Sequence, residues 1–281
     1  MVRAVLPDEI IEAARDGAPN FYFSALLAPR AVRSDLITFA AFIGEIDRVP
    51  FLAGDPNLGL IRLQWWIDAF EKTEPGSKTG HPVADAALEL AAASPDVSRF
   101  EFVHYANATA YLLGTDVPSE AELANFLSGT SGLVFDIWGR LIGEAKLPEV
   151  EALTKLAAAA YGRAVLAQSL VRLLGKGRCP LPLDYFDGSD PRQSLEGEAR
   201  RAVAAALSRL AQEAQKNLDL MRRGLTAKSG RIVKGMLPLV LVEPVFQVLN
   251  APGRDVLRDV AEISPFSRVM RLGLASLRGR I

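Results

Sequence analysis

The sequence predicts an all-α protein, and three observations carry that expectation. Apolar residues recur at steps of three and four along most of its 281 residues. No stretch alternates apolar with polar residues as a half-buried strand would. No linker is long or polar enough to divide the chain, and no internal repeat appears, so residues 1–281 are read as one domain of roughly ten helices.

Taken in order, helical spacing covers residues 8–15, 30–47, 57–72, 83–93 and 101–113. Ser119 and Glu122 form a capping box that opens a run to Leu141, each able to satisfy the other's orphan amide. Residues 149–174 make a long, alanine-rich helix. Residues 198–221 place Val203, Leu207, Leu210, Ala214, Leu218 and Met221 on one apolar stripe. Further helices are expected over 230–249, 254–262 and 266 to about 278. Glu74-Pro75-Gly76-Ser77, Ser94-Pro95-Asp96 and the stretch from Pro180 to Pro191 punctuate them. The central helices are apolar on most sides and should be buried.

Composition narrows the function classes. Thirty-two basic against thirty-three acidic residues leave a net charge of -1, so no global field favours nucleic acid. Cys179 is the only cysteine, which allows no intramolecular disulfide and requires no oxidising compartment. The first thirty residues carry Pro7, Asp8, Glu9, Asp16 and Pro19, unlike a signal peptide. The apolar run from Gly235 to Leu249 is too short and too interrupted to span a bilayer. A cytoplasmic protein is expected, with peripheral membrane contact left open.

The most informative stretch runs from Ala152 to Leu183, with five cationic side chains and no carboxylate. It passes Tyr161, Gly162 and Gln168 and ends in Gly177-Arg178-Cys179-Pro180-Leu181-Pro182. Earlier come Phe21-Tyr22-Phe23-Ser24, Leu27, Pro29, Arg33 and Phe42, then Arg62-Leu63-Gln64-Trp65-Trp66, His81-Pro82 and Gly129-Thr130-Ser131-Gly132. In order and spacing this set resembles the squalene/phytoene synthase family over nearly the whole chain. The resemblance implies an isoprenoid-synthase helical bundle around a central cavity. It also implies two aspartate-rich helices that hold magnesium against a substrate diphosphate.

The chain departs from that pattern where the chemistry lies. After Phe42 the first acidic cluster is reduced to Asp47, followed by Arg48-Val49-Pro50-Phe51. The second is gone: the counted positions fall on Ser169, Leu173 or Gly175, and no acid lies between Glu151 and Asp184. Magnesium binds through carboxylates plus phosphate oxygens, so the family's metal-dependent condensation is not expected. The double loss resembles the branch that contains the mitochondrial complex I assembly factor and its bacterial relatives.

Individual residues carry paired readings. Asp47, with Glu45 and Arg48, is either an end-of-helix charge cluster or a residual cation site. Arg163, Arg172, Lys176 and Arg178 either form a cationic wall for a phosphate, which arginine grips with two donors at once, or pair with neighbouring acids. Arg33, Arg62 and Gln168 match family positions and complete the candidate binding set, with Asp35, Asp55 and Asp68 as competing partners for the arginines. Asp136 is expected to pair with Arg140 four residues on. Trp65, Trp66 and Trp138 read as core or cavity lining, and Cys179 as inert.

Two functions follow. The first is a non-catalytic family member, without cofactor, binding a prenyl diphosphate, an anionic lipid or a respiratory complex I subunit. The alternative is a magnesium-dependent prenyltransferase with a rearranged site built on Asp47.

Overall fold

The computed structural model describes residues 6–74, 76–143, 148–192, 197–225, 230–251, 253, 255 and 262–281. They form α1 (Asp8–Gly17), α2 (Pro19–Leu26), α3 (Arg30–Asp47), α4 (Val49–Leu52), α5 (Pro56–Lys72), α6 (Pro82–Ala93) and α7 (Arg99–Thr109). After these come α8 (Glu120–Leu127), α9 (Leu133–Ile142), α10 (Pro148–Leu174), α11 (Glu198–Gly224), α12 (Gly230–Gly235), α13 (Val242–Leu249) and α14 (Pro265–Arg278). No strand occurs among the described residues. The all-α expectation holds.

Several boundaries follow from local chemistry already visible in the sequence. Ser119 accepts from the amide of Glu122, whose carboxylate accepts from Ser119, closing the anticipated capping box. His81 caps α6, and Pro82 supplies the pre-set φ of its first turn. Asp55 caps α5 by accepting from Asn57.

Elsewhere packing redraws the expected elements. The run from Ser119 to Leu141 is split by a π-helical turn at Ser128–Gly132. Its wide ring suits the small residues there, and such turns recur at functional sites. The expected helix 230–249 becomes α12, a 3-10 turn at Leu237–Leu241 and α13, with Pro238 and Pro244 each at a first turn. α2 was not anticipated. The expected helix at 254–262 lies almost wholly outside the described residues.

One buried cluster joins α3, α7, α9, α10 and α11, with Phe39, Phe42, Phe70 and Phe102 meeting edge-on and stacked. Two backbone crossings set its geometry. α1 meets α3 so closely at Gly17 and Gly44 that a Cβ on Gly44 would lie 2.7 Å from the Gly17 Cα. α10 passes the π turn at Gly162, where a Cβ would meet Leu127 at 2.6 Å and Ser131 at 2.9 Å. Both glycines line the cavity described next. No helix among the described residues is long and apolar enough to cross a membrane.

Candidate functional site

A cavity of about 770 Å³ lies among α1, α2, α3, α7, α10 and the start of α14. That volume falls within the range of small-molecule sites. Its depth is apolar, with Phe21, Ile43, Leu112, Phe126, Val134 and Leu166 on the walls. The π turn adds the hydroxyl residues Thr130 and Ser131, although Thr130 spends its hydroxyl proton on the Phe126 carbonyl at 2.6 Å.

α3 delivers Asp47 to this space. The helix reaches Asp47 because the eleven residues before it, Leu36 to Ile46, are buried and tie it into the core. The Tyr105 hydroxyl donates to the Asp47 carboxylate at 2.7 Å. Burial pushes the Asp47 carboxyl up to about 6, and the Tyr105 bond offsets only part of that rise. Burial and the neighbouring Asp47 charge hold Tyr105 well above an ordinary phenol, so it stays a donor. Asp47, the last residue of α3, is thus a partly buried carboxyl on the cavity lining, with its pKa raised by burial. Glu45, also on the lining, pairs with Arg48 at 2.5 Å and lies 4.0 Å from the His81 ring.

α10 makes a different wall. It presents Tyr161, Gly162, Val165, Gln168, Ser169 and Arg172 to the cavity, and no acid. Ser169, at one of the counted family positions, turns its hydroxyl back to the Val165 carbonyl at 2.9 Å. Arg172 lies over the Phe51 ring at 4.1 Å. Leu173 is fully buried in the core and Gly175 follows the helix end. Tyr161, raised to about 12 by burial, accepts from Asn20 at 3.0 Å.

The cationic wall expected from the sequence is not assembled here. Arg178 is 1% exposed and donates to the carbonyls of Pro50 at 2.6 Å, Ala53 at 3.2 Å and Gly54 at 3.4 Å. It clamps α4 and the following turn, and it does not line the cavity. Lys176 donates to the same Ala53 carbonyl at 3.3 Å. Arg163 bonds Glu213 of α11 at 2.7 Å, with the Tyr185 hydroxyl on the same carboxylate at 2.9 Å. Arg33 donates to the Ala28 carbonyl at 3.1 Å, and Arg62 is exposed on α5; neither lines the cavity. Of the named binding set only Gln168 and Arg172 do, together with Asp47.

Helix-end carbonyls explain the miss. Basic residues near a C-terminus find backbone acceptors as readily as ligands. Asp136 pairs with Arg140 at 2.9 Å as expected, and Arg140 also holds Glu101. Trp66 and Trp138 are buried, whereas Trp65 is 42% exposed and lines nothing.

Sequence reasoning missed other cavity groups. Glu9, Glu12 and Asp16 of α1, Glu262 and Arg268 reach the lining, where they join Arg48 of the cluster named beside Asp47. Burial lowers the Arg268 pKa, and its Nε atom has no hydrogen-bond partner. Six acids thus face three arginines around the rim and walls. The α1 spacing 9, 12, 16 marks one helix face, but nothing in the sequence says that this face meets the cavity. Among the described residues, no three His, Cys, Asp or Glu side chains converge to hold a metal ion.

The site is thus a cavity with apolar walls and a charged rim inside a helical bundle. The chain belongs to the squalene/phytoene synthase family, whose model matches residues 14–267. Among solved structures it is similar to a dehydrosqualene synthase crystallised in complex with ligand, at 13% identity, TM-score 0.61 and 96% coverage of both chains. That likeness extends the shared fold to nearly the full length. No curated protein matches the sequence.

Proposed function

We propose that this family member binds a prenylated or lipid anion and does not perform metal-dependent prenyl transfer. One observation carries the reading: the α10 wall brings no carboxylate to the cavity, and the α3 wall brings Asp47 already bonded to Tyr105. Magnesium usually keeps several waters and binds through one or two carboxylates plus phosphate oxygens. Burial raises the Asp47 carboxyl to about 6, Tyr105 already donates to it, and Glu45 is paired with Arg48. This donor set does not match the ion's needs.

The apolar depth takes the hydrocarbon chain. Arg172, lying over Phe51, takes the anionic end with Gln168 on the same wall. The six surrounding acids favour a headgroup of low charge over a diphosphate. The finer biological role we propose is that of a respiratory complex I assembly factor at the inner membrane face. It is supported by the degenerate acidic positions together with Arg62-Leu63-Gln64-Trp65-Trp66.

The deciding test incubates the protein with magnesium and farnesyl or geranylgeranyl diphosphate. No diphosphate release above blank is expected, and chelation of magnesium should leave ligand binding unchanged. Clear turnover would instead establish the prenyltransferase reading with Asp47 as a metal ligand. Deleting the gene and measuring NADH-driven respiration tests the assembly role; unaltered complex I would reject it.

A further inference from the structure

The C-terminal helix carries a feature that the cavity does not use. α14 packs inward through Leu272 and Ala275, 0% and 7% exposed, against the Leu237–Leu241 turn and α2. A helix docked in this way ordinarily turns a polar face outward. Here the outward face is apolar. Phe266, Val269, Met270, Leu274 and Leu277 stand 76%, 43%, 45%, 41% and 87% exposed. At 100° per residue they fall in one sector, roughly opposite the buried pair.

The charge on this segment is one-sided. Residues 264–281 contain Arg268, Arg271, Arg278 and Arg280 and no acid, in a chain of net charge -1. Arg271, Arg278 and Arg280 are exposed beside the apolar sector. The other exposed apolar group, Leu58, Ile61 and Trp65 on α5, sits with Arg62 and Lys72 but also with Asp68 and Glu71. It has no comparable sign.

We propose that α14 is an interfacial helix that docks the protein on an anionic lipid bilayer, with its apolar sector in the headgroup–acyl boundary and its arginines on lipid phosphates. Apolar burial and attraction to anionic lipid are the two contributions that hold such helices in the interface plane. A second copy is the weaker occupant, because a symmetric contact through this face would oppose arginines to arginines with no acid between them. The docked helix starts at the cavity rim, where Arg268 and Ile263 are lining residues. The proposal does not depend on what the cavity holds.

The test uses the full chain and sedimentation with vesicles of phosphatidylcholine with or without phosphatidylglycerol. Binding is expected to the anionic vesicles and to fall with added salt. Phe266→Asp with Leu277→Asp should weaken it at least about tenfold, and Arg271→Glu with Arg278→Glu should weaken it on anionic vesicles only. A second measurement does not depend on those variants folding: Leu277→Cys is labelled with an environment-sensitive dye, Cys179 being buried. Its emission should shift to the blue when anionic vesicles are added. An unshifted dye, or equal vesicle binding by the double aspartate variant and the wild type, overturns the proposal. So does a dimer, seen without vesicles, that the aspartates abolish.

Discussion

The two long helices that line the cavity make an instructive contrast. α3 ends on a partly buried carboxyl held by a tyrosine, with Glu45 and Arg48 paired beside it. α10 carries the matching frame of Tyr161, Gly162 and Gln168 but offers the cavity an alcohol, an amide and an arginine. Both retain the glycine that admits close backbone contact, Gly44 on one and Gly162 on the other. The demands of packing and of chemistry are thus separable in this fold. Shape is kept by small residues at crossings, while the cavity side of α10 carries no acid.

The strongest way to break the contrast is through shape. Gly44→Val should destabilise by more than about 3 kcal/mol or abolish soluble protein, since the new side chain meets Gly17 backbone that cannot retreat. Gly273→Ala, with nothing within 4 Å of the added Cβ, is the neutral control. Urea unfolding reads both. If Gly44→Val folds with wild-type stability, the crossing does not set the wall.

Arg178→Met comes next. It takes the guanidinium from three carbonyls, of which only Ala53 keeps a donor in Lys176, and a loss of about 3 kcal/mol is expected. Ligand affinity, measured where the variant is folded, should hold. A variant that keeps its stability and loses its ligand would return Arg178 to the binding wall.

Asp47→Asn sharpens the electrostatic half. A carboxyl raised from 3.8 to about 6 in the folded state binds its proton more tightly than in the unfolded chain. Its contribution therefore falls as pH rises through that window and is lost above it. The amide removes the penalty, so the variant should gain up to ~2 kcal/mol at pH 7 and nothing near pH 4. Melting curves at the two pH values decide; a variant destabilised at pH 7 would mean that the charge is needed.

Arg172→Ala should have the smallest effect on stability, about 0.5–1 kcal/mol for its contact with Phe51. Its effect on ligand binding should be larger. Calorimetric titration with geranylgeranyl diphosphate would show several-fold weaker binding if this arginine meets the anionic end.

Much of the fold was legible beforehand. α3 begins and ends at the residues that periodicity marked, and the Ser119–Glu122 cap and His81-Pro82 start hold because those devices act within one turn. The breaks inside 119–141 and 230–249 were less legible, since a π turn and a 3-10 turn are chosen by what packs against them. The site divided in the same manner. Asp47 was found from its spacing to Phe42, but its partner Tyr105 lies 58 residues away with no local signal. The two readings of Arg178 stayed open because a basic residue near a helix end looks the same whether it meets a ligand or a carbonyl.

The sequence by itself determined the helical class, the family and the acid-free run between Glu151 and Asp184, because periodicity, motif order and the absence of a residue type are properties of the linear chain. Only the tertiary structure decided which charges share the cavity. Direction and burial depend on contacts between distant segments, so it took the folded chain to send Arg178 into the backbone of residues 50–54, to lay Arg172 over Phe51 and to bring the acids of α1 to the rim.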